Sequence, residues 1–289
     1  MPELPEVEIV RQGLIPFVNE KEIQKVEQRR PDLRWPLPSD MKVRLVNVKI
    51  QNILRRSKYI LFNLSSDETM LVHLGMSGRL LVIKDKEDNK EQSGIFKFNP
   101  CKINKHDHVI IHLYPDIRIV YNDPRRFGAI DIAPTKHIYD HKWLKNLGPE
   151  PLGNEFSSDY LFKKLKNRKS SVKAALMDQT VVAGLGNIYV LEALWLSKVS
   201  PLRLAGSLGR REVECLTASI IKVLLAAIKA GGTSLQDFRN VGGEIGYFQQ
   251  SLNVYDCFDQ KCKNRDCSGT IQRVKQLGRT SYYCNSCQK

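Results

Sequence analysis

Tyr59-Ile-Leu-Phe-Asn-Leu64 and Thr69-Met-Leu-Val-His-Leu74 carry apolar side chains at every second position: Ile60, Phe62 and Leu64, then Met70, Val72 and Leu74. A period of two puts those side chains on one face of a strand and predicts half-buried β structure. Similar short runs lie at 43–50, 78–83, 109–113, 117–121 and 128–132, separated by turn formers. Many short strands in this arrangement predict a sandwich or barrel. Ahead of them, Val7, Val10, Leu14 and Phe17 recur near the helical period, and Pro5 suits a helix start because its missing N–H would be unpaired there anyway. The charged stretch 84–93 reads as a solvated hairpin tip.

Downstream, Pro134, Gly148, Pro149, Pro151 and Gly153 predict an interdomain linker over 134–153. The pattern then turns helical. Ser158 is placed to cap a helix through residue 165 and Ser171 one through residue 177; a third spans 187–196. The longest covers 207–230, with Val213, Leu216, Ile220, Val223 and Ala227 on one face and Gly231 as its stop. The glycine-rich stretch 231–250 is long enough to be a functional loop. Strand-like residues flank Gln276-Leu-Gly278 and predict a terminal β-hairpin. The order is a β domain with an N-terminal helix (1–133), linker (134–153), helical domain (154–250) and hairpin (251–289), an α+β multidomain fold.

Among 289 residues, 45 Lys and Arg face 31 Asp and Glu, a formal charge of +14 with pI ≈ 9.4. An excess of this size favours a polyanion, nucleic acid before membrane, although a merely basic soluble protein would carry it too. Mean hydropathy is −0.33, and no apolar run approaches the roughly 20 residues of a membrane helix. The acidic start lacks the basic and apolar parts of a signal peptide, which predicts a cytoplasmic protein. Seven cysteines, an odd number without a signal peptide, argue against a disulfide framework. Cys262, Cys267, Cys284 and Cys287 read C-x4-C and C-x2-C on two knuckles joined by the hairpin, a pattern for one structural Zn2+. The loose first knuckle leaves Cys257 as an alternative ligand.

Glu3, Glu6 and Glu8 crowd the first helical turn of a basic chain. Complementing the helix dipole is sufficient reason for them. A chemical reason begins at Pro2. With Met1 removed, Pro2 presents a secondary amine, and an α-amino group titrates near ~7.7–8, so part of it is neutral at neutral pH. Its attack on a sugar aldehyde gives a cationic iminium, an electron sink that favours loss of a phosphate from the next carbon. A neighbouring carboxylic acid would protonate the ring oxygen or leaving group.

Met1-Pro-Glu-Leu-Pro-Glu-Val-Glu8 resembles the N-terminal signature of the formamidopyrimidine-DNA glycosylase family. Arg55-Arg-Ser-Lys-Tyr59, His73-Leu-Gly-Met-Ser-Gly78, Lys105-His-Asp-His108, Asp123-Pro-Arg-Arg-Phe-Gly128, Leu147-Gly-Pro-Glu-Pro151, Gly184-Leu-Gly-Asn-Ile-Tyr189, Gly231-Gly-Thr233 and the cysteine knuckles follow in that family's order. The resemblance spans nearly the whole chain. It implies an N-terminal β-sandwich, a helix-two-turn-helix DNA-binding domain and a zinc-finger hairpin. The implied activity is a DNA glycosylase/AP lyase that excises oxidised purines from damaged double-stranded DNA. The same fold tuned to oxidised pyrimidines, like endonuclease VIII, and a non-enzymatic DNA-binding protein are the rival readings.

The resemblance also implies roles. Pro2 is the nucleophile, Glu3 the acid that assists ring opening, and Glu6 a supporting carboxylate. Lys58 contacts the phosphate beside the lesion, and Arg279 with Asn187 clamps phosphate. His73 and Tyr255 make further backbone contacts. Lys173, with Lys169 as the alternative, lies near the lesion. Met76, Arg125 and Phe127 fill the hole left by an extruded nucleotide, although core packing alone would account for Met76 and Phe127. Residues 231–248, with Arg239, Gly242 and Tyr247, form the loop that closes over the base. A monomer suffices for this. Two departures from the family pattern stand out: the four residues between Cys262 and Cys267, and Asp256-Cys-Phe258 where a glycine usually follows Tyr255.

Overall fold

The computed structural model describes residues 1–84, 104–233 and 247–289. The chain divides into two compact units, Met1–Leu144 with the segment that begins at Gly231, and Lys145–Ala230 with Tyr247–Lys289.

The first unit holds helices α1 (Leu4–Val18) and α2 (Met41–Leu45). Its strands are β1 (Lys21–Gln28), β2 (Lys49–Arg56), β3 (Tyr59–Leu64), β4 (Glu68–His73), β5 (Arg79–Lys84), β6 (Asp107–Leu113), β7 (Ile117–Asn122) and β8 (Ala129–Pro134). The strand order is β5-β7-β6-β1-β2-β3-β4-β8, antiparallel throughout. Strand β1 turns this ribbon into a sandwich. Lys21 and Glu22 pair with β2, and Ile23 to Gln28 pair with β6, with a bulge between Ile23 and Lys25. Phe62, Met70, Val72 and Ile130 from one layer meet Leu80, Val109, Ile111, Ile119 and Tyr121 from the other. Val7, Val10, Leu14 and Val18 of α1 enter the same core. Each such side chain removed from water contributes about 1.5–3 kcal/mol.

Two expectations are corrected here. Residues 43–50 are not one strand: Met41–Leu45 is a short helix, Val43 is exposed, and β2 begins only at Lys49 after Asn47 reverses the chain at φ 64. Strand β1 had no sequence signal, because its bulge lets Ile23 and Val26, three apart, both face the core.

In the second unit lie α3 (Ser158–Leu165), α4 (Val172–Met177), α5 (Asn187–Leu196), α6 (Arg210–Lys229) and the hairpin strands β9 (Ile271–Gln276) and β10 (Arg279–Cys284). The cap of α3 is Ser157 rather than Ser158, its hydroxyl accepting from Tyr160 N at 3.1 Å. α6 starts later than its periodicity suggested: Gly209 N–H donates to Glu212 Oε2 at 2.8 Å, and Ala205–Ser207 form a separate 3-10 turn. Gly148, inside the expected linker, is packed so closely against residues 180–181 that a β-carbon would strike their backbone. Leu277 and Gly278 take φ 54 and 69 at the hairpin tip, the two left-handed positions of a tight primed turn.

Helix α5 is buried along nearly its whole length, Glu192 included. The Glu192 carboxylate accepts from the backbone N–H groups of Asn253, Val254 and Tyr255 at 2.9–3.1 Å and from Asn253 Nδ2 at 2.9 Å. Among the described residues no helix is long and apolar enough to cross a membrane.

Glu192→Ala leaves those buried donors unpaired and should cost about 3 kcal/mol, measured by denaturant unfolding; Glu192→Gln, which keeps an acceptor oxygen, should cost less.

Candidate functional site

Pro2, Glu3 and Glu6 are all buried at the head of α1. Glu3 N–H donates to Glu6 Oε2 at 2.9 Å, so Glu6 caps the turn that carries Pro2. The second oxygen, Glu6 Oε1, accepts from Thr233 N at 2.9 Å. Gly231 and Gly232, at φ 77 and 79, lead into that contact, and a β-carbon on Gly232 would crowd Glu6 and Ile9. Glu6 thus joins the N-terminal turn to the start of the expected loop 231–248. Arg239 and Gly242 of that loop lie outside the described residues, as does Cys101. Tyr247 is described and is exposed.

One turn along α1, Glu8 accepts from Arg11 and Gln12 and, from Arg55 Nε on β2, at 3.0 Å. Burial pushes its carboxyl up, but Arg11, Gln12 and Arg55 together hold it below the usual range. Arg55 Nη1 also donates to Ser57 O at 2.9 Å and closes the two-residue turn Ser57-Lys58 between β2 and β3, with Ser57 at φ 56. The ion pair ties the head of α1 to the turn that presents Lys58, a lysine only 7% exposed.

His73 ends β4 opposite Tyr59. Its ring lies 4.9 Å from that of Tyr59, which stacks on Trp143 at 6.0 Å; Trp143 stacks on Trp35 at 5.4 Å, and the Arg34 guanidinium covers Trp35 at 4.6 Å. Burial first, then the charges of Lys58 and Arg34, push the imidazole down to about 4 against a smaller opposite pull from Asp123. His73 is therefore neutral at pH 7. Its Nδ1 accepts from Gly75 N at 3.1 Å, which leaves the proton on Nε2 as a donor.

Met76, Arg125 and Phe127 sit on two turns built against each other. Asp123, fully buried, accepts from Ser77 Oγ at 2.6 Å and from Gly128 N at 2.8 Å, and Ser77 Oγ accepts from Arg125 N at 3.2 Å. Gly75, at φ 63, packs so tightly that a β-carbon would overlap the backbone of Phe127 and Gly128. Met76 and Phe127 are 37% and 43% exposed, so core packing does not account for them. The Arg125 guanidinium lies over the Phe127 ring at 4.9 Å. Asp123 and Ser77 carried no assignment from sequence, although an aspartate before proline in a turn is a signal for backbone capping.

In the second unit, β10 gathers three of the expected residues. Arg279 is exposed at its start. Asn187, the first residue of α5, donates from Nδ2 to Thr280 O at 3.0 Å, while its buried Oδ1 has no hydrogen-bond partner. Lys173 is fully enclosed and donates to Ser281 Oγ at 2.7 Å; burial, then the charge of Arg279, push it down to about 8. Lys169, its alternative, is exposed. Tyr255 packs its ring 5.5 Å from Tyr282, whose hydroxyl donates to Asp256 at 3.2 Å. Asp256 sits at φ 59, a left-handed conformation that glycine adopts most readily.

The Sγ atoms of Cys262, Cys267, Cys284 and Cys287 all lie within 4.8 Å of one another, and this group could hold a metal ion. Cys262 and Cys287 are 3.7 Å apart, and Cys267 and Cys284 3.6 Å. Tetrahedral zinc with Zn–S near 2.3 Å requires about 3.8 Å between sulfurs, so the donor set fits. Cys257 is not in the group; its thiol points at the carbonyls of Leu252 and Tyr255. Gly269 belongs to the cradle, since a β-carbon there would meet Ser286 and Cys284 Sγ.

Comparison with known proteins places these features in a family. Residues 1–130 match the formamidopyrimidine-DNA glycosylase N-terminal domain and residues 147–239 the formamidopyrimidine-DNA glycosylase H2TH domain. The formamidopyrimidine-DNA glycosylases of Ruegeria pomeroyi and Roseobacter denitrificans are 51% and 50% identical over 289 residues, covering 100% of both chains in each case. A Lactococcus lactis Fpg variant in complex with a Fapy-dG containing DNA is similar at TM-score 0.87 and 32% identity over 100% of both chains. A MutM in complex with carbocyclic 8-oxo-G containing DNA is similar at TM-score 0.86 and 33% identity, also over 100% of both chains. With its two domain matches, its full-length relatives and its shared fold, the chain belongs to the formamidopyrimidine-DNA glycosylase family.

Proposed function

We propose that this protein is a bifunctional DNA glycosylase/AP lyase of base excision repair, acting on 8-oxoguanine and formamidopyrimidines in duplex DNA. The observation that carries the reading is the head of α1: Pro2 with two buried carboxylates, Glu3 and Glu6, in a chain of formal charge +14. Acids placed there serve chemistry on a polyanion rather than its attraction.

Once Met1 is removed, the Pro2 nitrogen bonds to C1′ as the bond from C1′ to the damaged base breaks. Glu3 delivers a proton to the ring oxygen, the sugar opens, and the amine's one proton is lost to leave a cationic iminium. That cation takes up the electrons released when C2′ loses a proton, and the 3′-phosphate departs; a second elimination expels the 5′-phosphate. Water then frees Pro2. Glu6 holds the turn that aims Pro2, and Lys58 steadies the adjacent phosphate. His73, neutral, gives a phosphate a hydrogen bond without adding charge, and Tyr255 makes a further backbone contact.

Asn187 and Arg279 clamp a phosphate from the hairpin, Asn187 through the Nδ2 hydrogen that Thr280 O does not take. Lys173 supports that clamp through Ser281. A base inside the duplex is unreachable, so the nucleotide is extruded, and Met76, Arg125 and Phe127 fill the space it leaves. In this reading 1–133 is the catalytic domain, 154–250 the DNA-binding helical domain with the lesion loop 231–248, 134–153 the linker and 251–289 the zinc finger. One Zn2+ holds the four thiolates as a structural ion, and the protein works as a cytoplasmic monomer.

Borohydride trapping on a duplex carrying 8-oxoguanine opposite cytosine should give a covalent adduct at Pro2, located by peptide mass mapping. Trapping on an abasic duplex alone would shift the lesion preference, towards oxidised pyrimidines in the first instance. Trapping on neither would leave a DNA-binding protein without the chemistry. Binding should weaken linearly on a log–log salt plot, and Arg279→Ala should reduce the magnitude of the slope by about 0.9 as one phosphate contact is lost; an unchanged slope would place Arg279 off the backbone.

A further inference from the structure

The four residues between Cys262 and Cys267 depart from the tight knuckle at Cys284-Asn-Ser-Cys287, and the structure gives two of them definite work. Lys263 Nζ donates to Leu252 O at 2.6 Å, which anchors the loop. Asn264 Nδ2 donates to Cys287 Sγ at 3.1 Å. Asn264 also opens a turn in which its carbonyl accepts from Cys267 N at 3.1 Å, so backbone and side chain are fixed together.

Every sulfur of the cluster receives such a donor. Cys284 accepts from the backbone N–H groups of Ser286 and Cys287, and Cys267 from Gly269 N at 3.4 Å. Cys262 accepts from the Trp195 indole at 3.4 Å. The inner pair is thus served by backbone and the outer pair by side chains. A hydrogen bond to a thiolate draws electron density from sulfur, and makes it less basic and less ready to leave a metal for a proton or a competing ligand.

We propose that the lengthened first knuckle exists to bring Asn264 to Cys287, and that Asn264 is a positioning residue whose N–H···S bond slows ligand exchange at the metal centre. This rests on the reading of the cysteine cluster as a zinc site. The test uses the full-length protein, first assayed for one metal ion per chain and then loaded with Zn2+ or Co2+.

Asn264→Asp separates the two roles of the residue. Aspartate suits the opening position of the turn as well as asparagine does, but its carboxylate cannot donate and repels the sulfur. Zinc transfer to a chelator should be about tenfold faster in Asn264→Asp, the effect of losing one hydrogen bond to a charged group. The thiolate-to-cobalt charge-transfer band should move to longer wavelength. Lys263→Met, which frees the anchor but keeps the amide, should leave the cobalt band in place. Should the Asp variant fail to fold, Asn264→Leu, close in volume and without a donor, should show the same two changes. Wild-type release rates and an unmoved band in the Asn264 variants would overturn the proposal, as would a Lys263→Met protein indistinguishable from them. A wild-type protein that takes up neither metal would overturn the zinc reading itself, and this inference with it.

Discussion

A carboxylate that accepts backbone N–H groups fixes the path of a chain in a way no apolar contact does. An apolar side chain repacks with a modest loss, whereas moving the carboxylate orphans every donor it serves. Three of the buried acids show it here. Glu6 holds the N-terminal turn and Thr233, Asp123 holds the Gly128 turn against Ser77, and Glu192 holds residues 253–255. Each stands behind a segment proposed above to meet DNA: the Pro2 turn, the Met76 and Arg125–Phe127 turns, and the Tyr255 approach to the hairpin. Each of these segments is irregular, and a buried acid stands in for regular hydrogen bonding.

The same choice of partner serves the electrostatics. Backbone N–H groups, the Ser77 hydroxyl and the Asn253 amide serve Asp123 and Glu192 in place of lysine or arginine. Glu8 does pair with an arginine, and its bond to Arg55 joins α1 to the Lys58 turn. His73 shows the converse. Burial and two neighbouring cations keep it neutral, so it adds a directional donor beside Lys58 without a further positive charge to be desolvated.

Those features explain what the sequence could and could not reveal. Ile60, Phe62, Met70 and Val72 were readable because one face of a sandwich imposes period two, and all four are in the core. Strand β1 was not, because a bulge replaces that period by a spacing of three. Val43 misled because a β-branched residue signals strand by composition even when it rides the outside of a helical turn. The four thiolates were legible by spacing alone, while the exclusion of Cys257 required the direction of its side chain. The motifs around Met76 and Phe127 were recognisable, but their exposure depends on Asp123, forty-seven residues beyond Met76, and no local pattern encodes such a bond. Lys173 was legible as a residue and not as an environment, since its enclosure depends on Ser281 in a distant hairpin.

The hairpin carries both the cysteine cluster and the residues proposed to clamp phosphate. A lone two-stranded ribbon is marginal in water. β10 carries Cys284 at one end and Arg279 at the other, roughly 17 Å apart at about 3.3 Å per residue. A metal at the base alone would leave the far end free to swing. Midway, Ser281 accepts from Lys173 and donates to Gln276 Oε1, and Gln276 Nε2 donates to Ser171 Oγ and Pro201 O. Nearer the tip, Asn187 holds Thr280 O. The strand is therefore pinned at its middle and near its tip, and a metal in the cysteine cluster would pin its base. Lys173 is placed to contribute rigidity through Ser281, and a buried lysine is a fitting choice for that: its proton binds the hydroxyl while its charge, close to Arg279, adds to the positive field at the end of the ribbon.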